Sequence, residues 1–216
     1  MTATLLALHG VPTSPALWSR LPLVMEAPAL AGTLAAQVEA VVPRVGPDTV
    51  LVGHDMGGVV AALVALRTRP RAVILSGTAL GPYWTMVRAT AWPLLWRYFY
   101  ARHAGRRFVA GAVTAEHRAA TLQAFPGADP MEMRAVAQAM RVPPDLAGAL
   151  AKVAPVALVW GDADRWYPPW LARRIAARTG AEIHWVRGGH FAMWENPAGY
   201  DKALRTALSG LGITNR

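Results

Sequence analysis

Short apolar runs that end in glycine, histidine or aspartate constrain this chain more than any other feature. "TLLALHG" (4–10), "TVLVGH" (49–54), "RAVILSG" (71–77), "PVALVWGD" (155–162) and "AEIHWVRG" (181–188) are each the length of a strand, and "PLVMEAP" (22–28) is a weaker example. Longer segments with helical apolar spacing lie between them: 33–45, helical until Pro43, then 56–67, the stretch between the last two runs, and a final one over 197–210. Strands that are apolar almost throughout must be covered on both faces, and helices between them supply the covering. The expected fold is α/β, a mostly parallel sheet of about six strands with helices on both faces.

The middle of the chain breaks this rhythm. From Gly81 to about Gly148 the strand runs vanish, and aromatic, helical-looking segments such as "PYWTMVRATAWPLLWRYFYARHAGRR" take over. A small helical cap inserted between two sheet strands is the simplest reading. The expected organisation is a core in two parts, 1–80 and 149–216, with the cap at 81–148. No internal repeat or low-complexity linker interrupts it.

Composition narrows the function classes. With 54% hydrophobic and 16% charged residues, the 216-residue chain is globular and can close one full core. The absence of cysteine excludes disulfides and thiolate metal sites. No apolar run approaches the roughly 20 residues that span a bilayer, so a membrane partner is not expected. The opening "MTATLLALHG" has neither a basic n-region nor a small-residue cleavage site, so it reads as a first strand and the protein as cytoplasmic. The net charge of +9 comes almost wholly from arginine, the only lysines being Lys152 and Lys202. These arginines are scattered, apart from a modest cluster at Arg97, Arg102, Arg106 and Arg107, and no helix-turn-helix or zinc-finger pattern accompanies them. No nucleic-acid partner is expected. The aromatic cap is compatible with a homodimer interface.

Parallel sheets bind ligands beyond the carboxyl ends of their strands. Four polar signatures stand at such ends: His9-Gly10-Val11-Pro12, His54-Asp55-Met56, Asp162-Ala163-Asp164 and Gly189-His190-Phe191. The second is the most pointed, because a carboxylate at a buried strand-to-helix turn is costly unless it is paired or has chemistry to do. The histidines and carboxylates lack metal-ligand spacing, so neither a metal nor a cofactor is expected.

On these residues the sequence resembles the α/β-hydrolase family. Gly53-x-Asp55-x-Gly57 resembles the nucleophile elbow, with Asp in the usual Ser position. His9-Gly10-Val11-Pro12 resembles the HGxP loop. Asp164 in "WGDADRWYPP" matches the later acid, with Asp162 as its competitor or as a turn residue, and His190 in "GGHFAMWENP" matches the terminal histidine. The order nucleophile, acid, histidine is the family's. Two departures accompany the match. The family's antiparallel hairpin before the HGxP strand has no counterpart, and "APALAG" (27–32) stands where a Gly-rich "APDLRG" is usual. A compact version is expected.

The resemblance implies a reaction. Aspartate at the elbow is similar to epoxide hydrolases, haloalkane dehalogenases and haloacetate dehalogenases, in which a carboxylate displaces at an sp³ carbon and forms an alkyl ester. His190, oriented by Asp164, would then activate water against the Asp55 ester, and the backbone N–H groups of Val11 and Met56 would hold the oxyanion. Epoxide hydrolases use cap tyrosines as proton donors, and Tyr83, Tyr98 and Tyr100 are available. Dehalogenases commonly place an indole beside the nucleophile, where this chain has Met56, although Trp84, Trp92 or Trp96 could donate from the cap. Haloacetate dehalogenases use arginines near the nucleophile, and none stands at this elbow. Epoxide hydrolysis therefore leads, with a small hydrophobic organic substrate and water as co-substrate. The candidate substrate-binding residues are His9, His54, Tyr83, Trp84, Tyr98 and Tyr100.

Plainer roles are also open. Asp55 could be a turn residue, His9 and His54 could be structural, and the tryptophans at near-helical spacing could pack cap on core. Two rival classes share the fold: a lyase or isomerase in which Asp55 and His190 only move protons, and a binding protein that turns nothing over.

Overall fold

The computed structural model describes residues 3–10, 13–81 and 142–214. Among them are five strands, β1 (Thr4–Leu8), β2 (Thr49–His54), β3 (Ala72–Ser76), β4 (Val156–Gly161) and β5 (Glu182–Val186). All pair in parallel in the order β1-β2-β3-β4-β5. The described helices are α1 (Leu34–Val41), α2 (Met56–Thr68), α3 (Leu146–Ala151), α4 (Pro169–Thr179), α5 (Ala192–Glu195) and α6 (Pro197–Gly210). Helices α1 to α4 touch in succession along one layer, while α6 packs on β4 and β5 from the other face.

This is the α/β sheet covered on both faces that the apolar runs imply. All six residues of β2 and all six of β4 are buried, which is why both read as unbroken apolar segments. Helix α2 is likewise apolar nearly all round and buried over most of its length. Pro43 ends α1 as expected, by way of a single 3₁₀ turn at Val42–Arg44.

The strand count differs from the expected six. The segment 22–28 contributes one parallel bridge, Leu6 to Glu26, on the side of β1 away from β2. Two backbone bonds hold it, from Ala7 N–H to the Glu26 carbonyl and from Glu26 N–H to the Leu5 carbonyl. Proline at 22 and 28 removes donors at both ends, and Val24 is 88% exposed, so the segment lacks both the ladder and the covered face of a strand.

Registry aligns the carboxyl ends of the strands. Leu8 pairs with Gly53, His54 with Ser76, and Gly161 with Val186, so the loops after all five strands open on one edge. Most of the 81–148 segment lies outside the described residues. Its final part is α3, which crosses position 148 and packs on α2 and α4 of the core.

Candidate active site

Asp55 stands at the turn from β2 into α2 with φ 52° and ψ −123°, a left-handed conformation that strains any residue with a side chain. The surroundings hold it there. Its N–H donates to the Ser76 carbonyl at 3.1 Å, and its carbonyl accepts from Gly58 N–H at 3.0 Å and from the buried Thr78 hydroxyl at 2.6 Å. Glycine clears the space around it. A Cβ on Gly10 would collide with the Asp55 carboxylate, one on Gly57 with the Leu8 carbonyl, and one on Gly53 with the backbone of Gly57 and Gly58.

The Asp55 side chain is buried beside His190. Burial raises its pKa, and three features pull it back: His190, a hydrogen bond from the Tyr167 hydroxyl and a backbone hydrogen bond from Met56. The carboxylate is thus desolvated but not abandoned, a condition that leaves a charged oxygen reactive.

His190 is 2% exposed, and its Nδ1 lies 3.0 Å from Asp164 Oδ2. Nδ1–H donates to the carboxylate, which leaves Nε2 as the basic nitrogen. Burial lowers the His190 pKa to about 4, so the ring is neutral at pH 7 and can accept a proton. Asp164 is held from its other side, where Oδ1 accepts from the N–H groups of Trp166 and Tyr167 at 2.8 and 2.9 Å. Burial nevertheless raises its pKa to about 7. Gly77, at φ +46°, lies directly under this pair: a Cβ there would sit 3.0 Å from His190 Nδ1 and 3.2 Å from Asp164 Oδ2. Asp162 does not reach the histidine. Its Oδ1 accepts from Gly188 N–H at 3.1 Å and braces the loop that carries His190.

His9 and His54 spend their ring nitrogens on the backbone. His9 Nε2 accepts from Leu30 N–H at 3.1 Å and Nδ1 donates to the Gly10 carbonyl at 2.9 Å, which fixes its tautomer and ties 27–30 to the loop after β1. Burial lowers its pKa. His54 Nε2 donates to the His190 carbonyl at 2.9 Å, and burial lowers its pKa to about 3. Its ring lies 4.5 Å from that of His190, in an aromatic wall completed by Phe191, Tyr167 and Trp18.

The fold therefore gathers Asp55, Met56, His54, Asp164 and His190 at one edge and leaves His9 as a brace beside them. Val11, Tyr83, Trp84, Tyr98 and Tyr100 lie outside the described residues, as do Trp92 and Trp96. Three contributors escaped the sequence reading. Thr78 supports the elbow, and Tyr167 packs its ring against that of His190. Glu195, buried on α5, accepts from Gly189 N–H at 2.5 Å and anchors the histidine loop. A local signal existed only for Tyr167, a large polar aromatic three positions after the acid. Among the described residues no group of three or more histidines and carboxylates is arranged to hold a metal ion, and no helix is long and apolar enough to cross a membrane.

Comparison with known proteins agrees with this architecture. A family model described as the alpha/beta hydrolase family matches residues 5–203. No curated protein matches. Among solved structures, a thermophilic esterase from Thermogutta terrifontis is 20% identical, with a TM-score of 0.70 over 97% of this chain and 92% of its own. A bromoperoxidase from Bacillus anthracis is 16% identical, with a TM-score of 0.71 over 97% and 92%. A haloalkane dehalogenase from Bradyrhizobium elkani is 19% identical, with a TM-score of 0.68 over 98% and 91%. Likeness at these identities establishes a shared fold. With a family model spanning nearly the whole sequence and a sheet whose loops assemble as described, the chain belongs to the alpha/beta hydrolase family.

Proposed function

We propose that this hydrolase uses Asp55 as a carbon-directed nucleophile and that its reaction is the opening of an epoxide to a diol. One observation carries the reading. A carboxylate, not a hydroxyl, occupies the strained turn between β2 and α2, beside a neutral histidine that a second carboxylate orients. With an ester or amide, an aspartate nucleophile would form an anhydride, whereas at an sp³ carbon it forms an ordinary alkyl ester that water can cleave.

The inferred sequence has two steps. An Asp55 oxygen attacks the less hindered ring carbon, the C–O bond breaks, and the freed alkoxide takes a proton. Tyr83, Tyr98 and Tyr100 of the proposed cap, 81–148, are the candidate donors for that proton. His190 Nε2 then takes a proton from water, and the resulting hydroxide attacks the carbonyl carbon of the Asp55 ester. The tetrahedral intermediate collapses, His190 returns its proton to the departing alkoxide, and the diol leaves. Val11 and Met56 are the candidate backbone donors to the oxyanion. The acid proton left on Asp55 returns to the phenolate. Carboxylate, imidazole, a phenol donor and water thus account for every bond made and broken, and the reading needs no cofactor. The substrate would be small and hydrophobic, and the location cytoplasmic.

The test is intact mass of a His190→Gln variant after incubation with styrene oxide, epichlorohydrin and 1,2-dibromoethane. Loss of the base stalls the second step, so the expected product is protein carrying the whole epoxide on Asp55. An adduct lacking a halogen from dibromoethane alone would reassign the enzyme to dehalogenation. No adduct with any probe, and no turnover by the parent protein, would favour proton transfer or ligand binding.

A further inference from the structure

Strand β2 ends at His54, and β5 leads into the loop that carries His190, with β3 and β4 lying between the two strands in the sheet. Strand pairing therefore does not join the nucleophile's turn to the base directly. The base also follows two glycines, Gly188 at φ +154° and Gly189, which give the loop room to turn but no stiffness of its own. Three side chains grip it. Asp162 accepts from Gly188 N–H and Glu195 accepts from Gly189 N–H, and both belong to segments that border the loop. The third is His54, whose Nε2–H donates to the His190 carbonyl at 2.9 Å across 136 positions of sequence. His54 directly precedes Asp55, so this bond ties the elbow to the main chain of the base.

The same bond determines the state of the His54 ring. A carbonyl only accepts, so Nε2 carries the proton. The residue is 0% exposed, and burial lowers its pKa to about 3, so the ring stays neutral. Neutrality matters because the His190 ring lies 4.5 Å away, and a positive charge beside it would weaken it as a base. Neighbours enclose the ring: Trp18 stands edge-on at 6.4 Å, Phe191 lies at 5.6 Å, and the backbone of His54 pairs with Ser76 on β3. Asp164, 3.0 Å from His190 Nδ1, sets the rotation of the imidazole. A bond to the His190 carbonyl sets where the residue itself stands. The two contacts restrain different degrees of freedom of one side chain.

We propose that His54 is a positioning residue for the general base, its bond to the His190 carbonyl holding His190 Nε2 where it can deprotonate the water that attacks the Asp55 ester. This rests on the Asp55 nucleophile reading. Alkylation of Asp55 transfers no proton to His190, whereas ester hydrolysis does. In that second step the water proton goes to His190, the hydroxide oxygen bonds to the ester carbonyl carbon, and His54 keeps its own proton throughout. The cross-link thus bears on hydrolysis, where a misplacement of about 1 Å costs about 10²-fold.

The experiment is rapid-quench mass spectrometry with styrene oxide on the parent protein, His54→Phe, His54→Gln and His190→Gln. Phenylalanine keeps a planar ring of similar size without a donor, and glutamine keeps an N–H donor at similar reach without the ring. In His54→Phe, ester hydrolysis should slow about 10²-fold and alkylation far less, so alkylated Asp55 accumulates during turnover. His54→Gln should recover most of the lost hydrolysis rate. A downfield Nδ1–H proton signal from His190 should persist in both variants, since Asp164 is untouched, and it marks the folded molecules on which the two rates are compared. His54→Leu, smaller and also without a donor, supplies the same comparison where phenylalanine does not fit. Equal slowing of both steps, no slowing of either, or a glutamine variant as slow as the apolar one would each overturn the proposal. If His190→Gln forms no adduct with styrene oxide, epichlorohydrin or 1,2-dibromoethane, the nucleophile reading has failed and this proposal falls with it. An adduct on His190→Gln combined with unselective kinetics in the His54 variants condemns the His54 proposal alone.

Discussion

Three groups at the site must each hold a particular protonation state. In the proposed reaction Asp55 would attack only when ionised, His190 would accept a proton only when neutral, and Asp164 would orient His190 best as a carboxylate. Burial raises both aspartates, Asp164 to about 7, and lowers His190 to about 4. All three states are lost in the same direction, toward acid. The expected kcat/KM profile therefore falls as pH drops through about 7 and stays level above it, since the Tyr167 phenol titrates well above its ordinary value of 10.0. A pH–rate series in one constant-ionic-strength buffer set checks this, and an alkaline limb below pH 9 would contradict it. Thr78 offers a test of the strained turn. Thr78→Val keeps the shape but removes the 2.6 Å bond to the Asp55 carbonyl, and should cost about 1–2 kcal/mol in urea unfolding. Asp55, Asp164 and His190 were legible because each follows a strand within a short Gly-containing motif. Thr78 and Tyr167 were not, since their value lies in reaching Asp55 and His190, partners that only sheet registry brings near. The place of Met56 at the start of α2 was legible because it directly follows the elbow residue.

At the level of elements, closeness between helix and strand decides more than helix propensity does. Helix α2 carries Gly57 and Gly58, poor helix formers, directly after its first residue, because it starts against β1 and the loop after β3. A Cβ at position 57 would enter the Leu8 carbonyl, and backbone cannot step aside as a flexible side chain can. Gly57→Ala should therefore destabilise the fold by about 3 kcal/mol despite alanine's better propensity, as read by thermal or urea unfolding. Helix α5 carries a second test. Burial raises Glu195 from 4.5 to about 7, so the native state binds this proton more tightly than the unfolded chain does. The stability it contributes is complete below pH 4.5 and is lost as pH rises through about 7. Glutamine cannot ionise and can still accept from Gly189 N–H. Relative to the parent, Glu195→Gln should gain about 1–3 kcal/mol between pH 5 and pH 8, by urea unfolding at both values. The main strands and helices were legible because their apolar runs are long and buried. The 22–28 segment misled because a short apolar run looks the same whether it joins a ladder or makes a single bridge.

For the whole molecule, the informative feature is where the chain leaves the core and where it returns. Strand β3 pairs directly with β4, Val73 opposite Val156, although a long crossover separates them. Gly81 and Pro144 stand on either side of the undescribed residues, and a Cβ on Gly81 would lie 3.7 Å from the Pro144 carbonyl oxygen. The two ends therefore meet, and α3 resumes packing on α2 and α4 immediately afterwards. The composition change at Gly81 made the insertion legible, but the meeting of its ends depends on tertiary structure and left no trace in residue pattern. Bridging the gap with a Gly/Ser linker of about six residues in place of 82–141 closes a shorter loop at little entropic cost. The sheet, α1 to α6 and the Asp164–His190 pair are all built from residues that this deletion keeps. The expected outcome is a folded core with cooperative urea unfolding and a downfield Nδ1–H proton signal from His190. Turnover of styrene oxide should be lost, because the candidate proton donors Tyr83, Tyr98 and Tyr100 are gone. An aggregated or non-cooperative product would mean that the inserted segment completes the core and does not merely cover it.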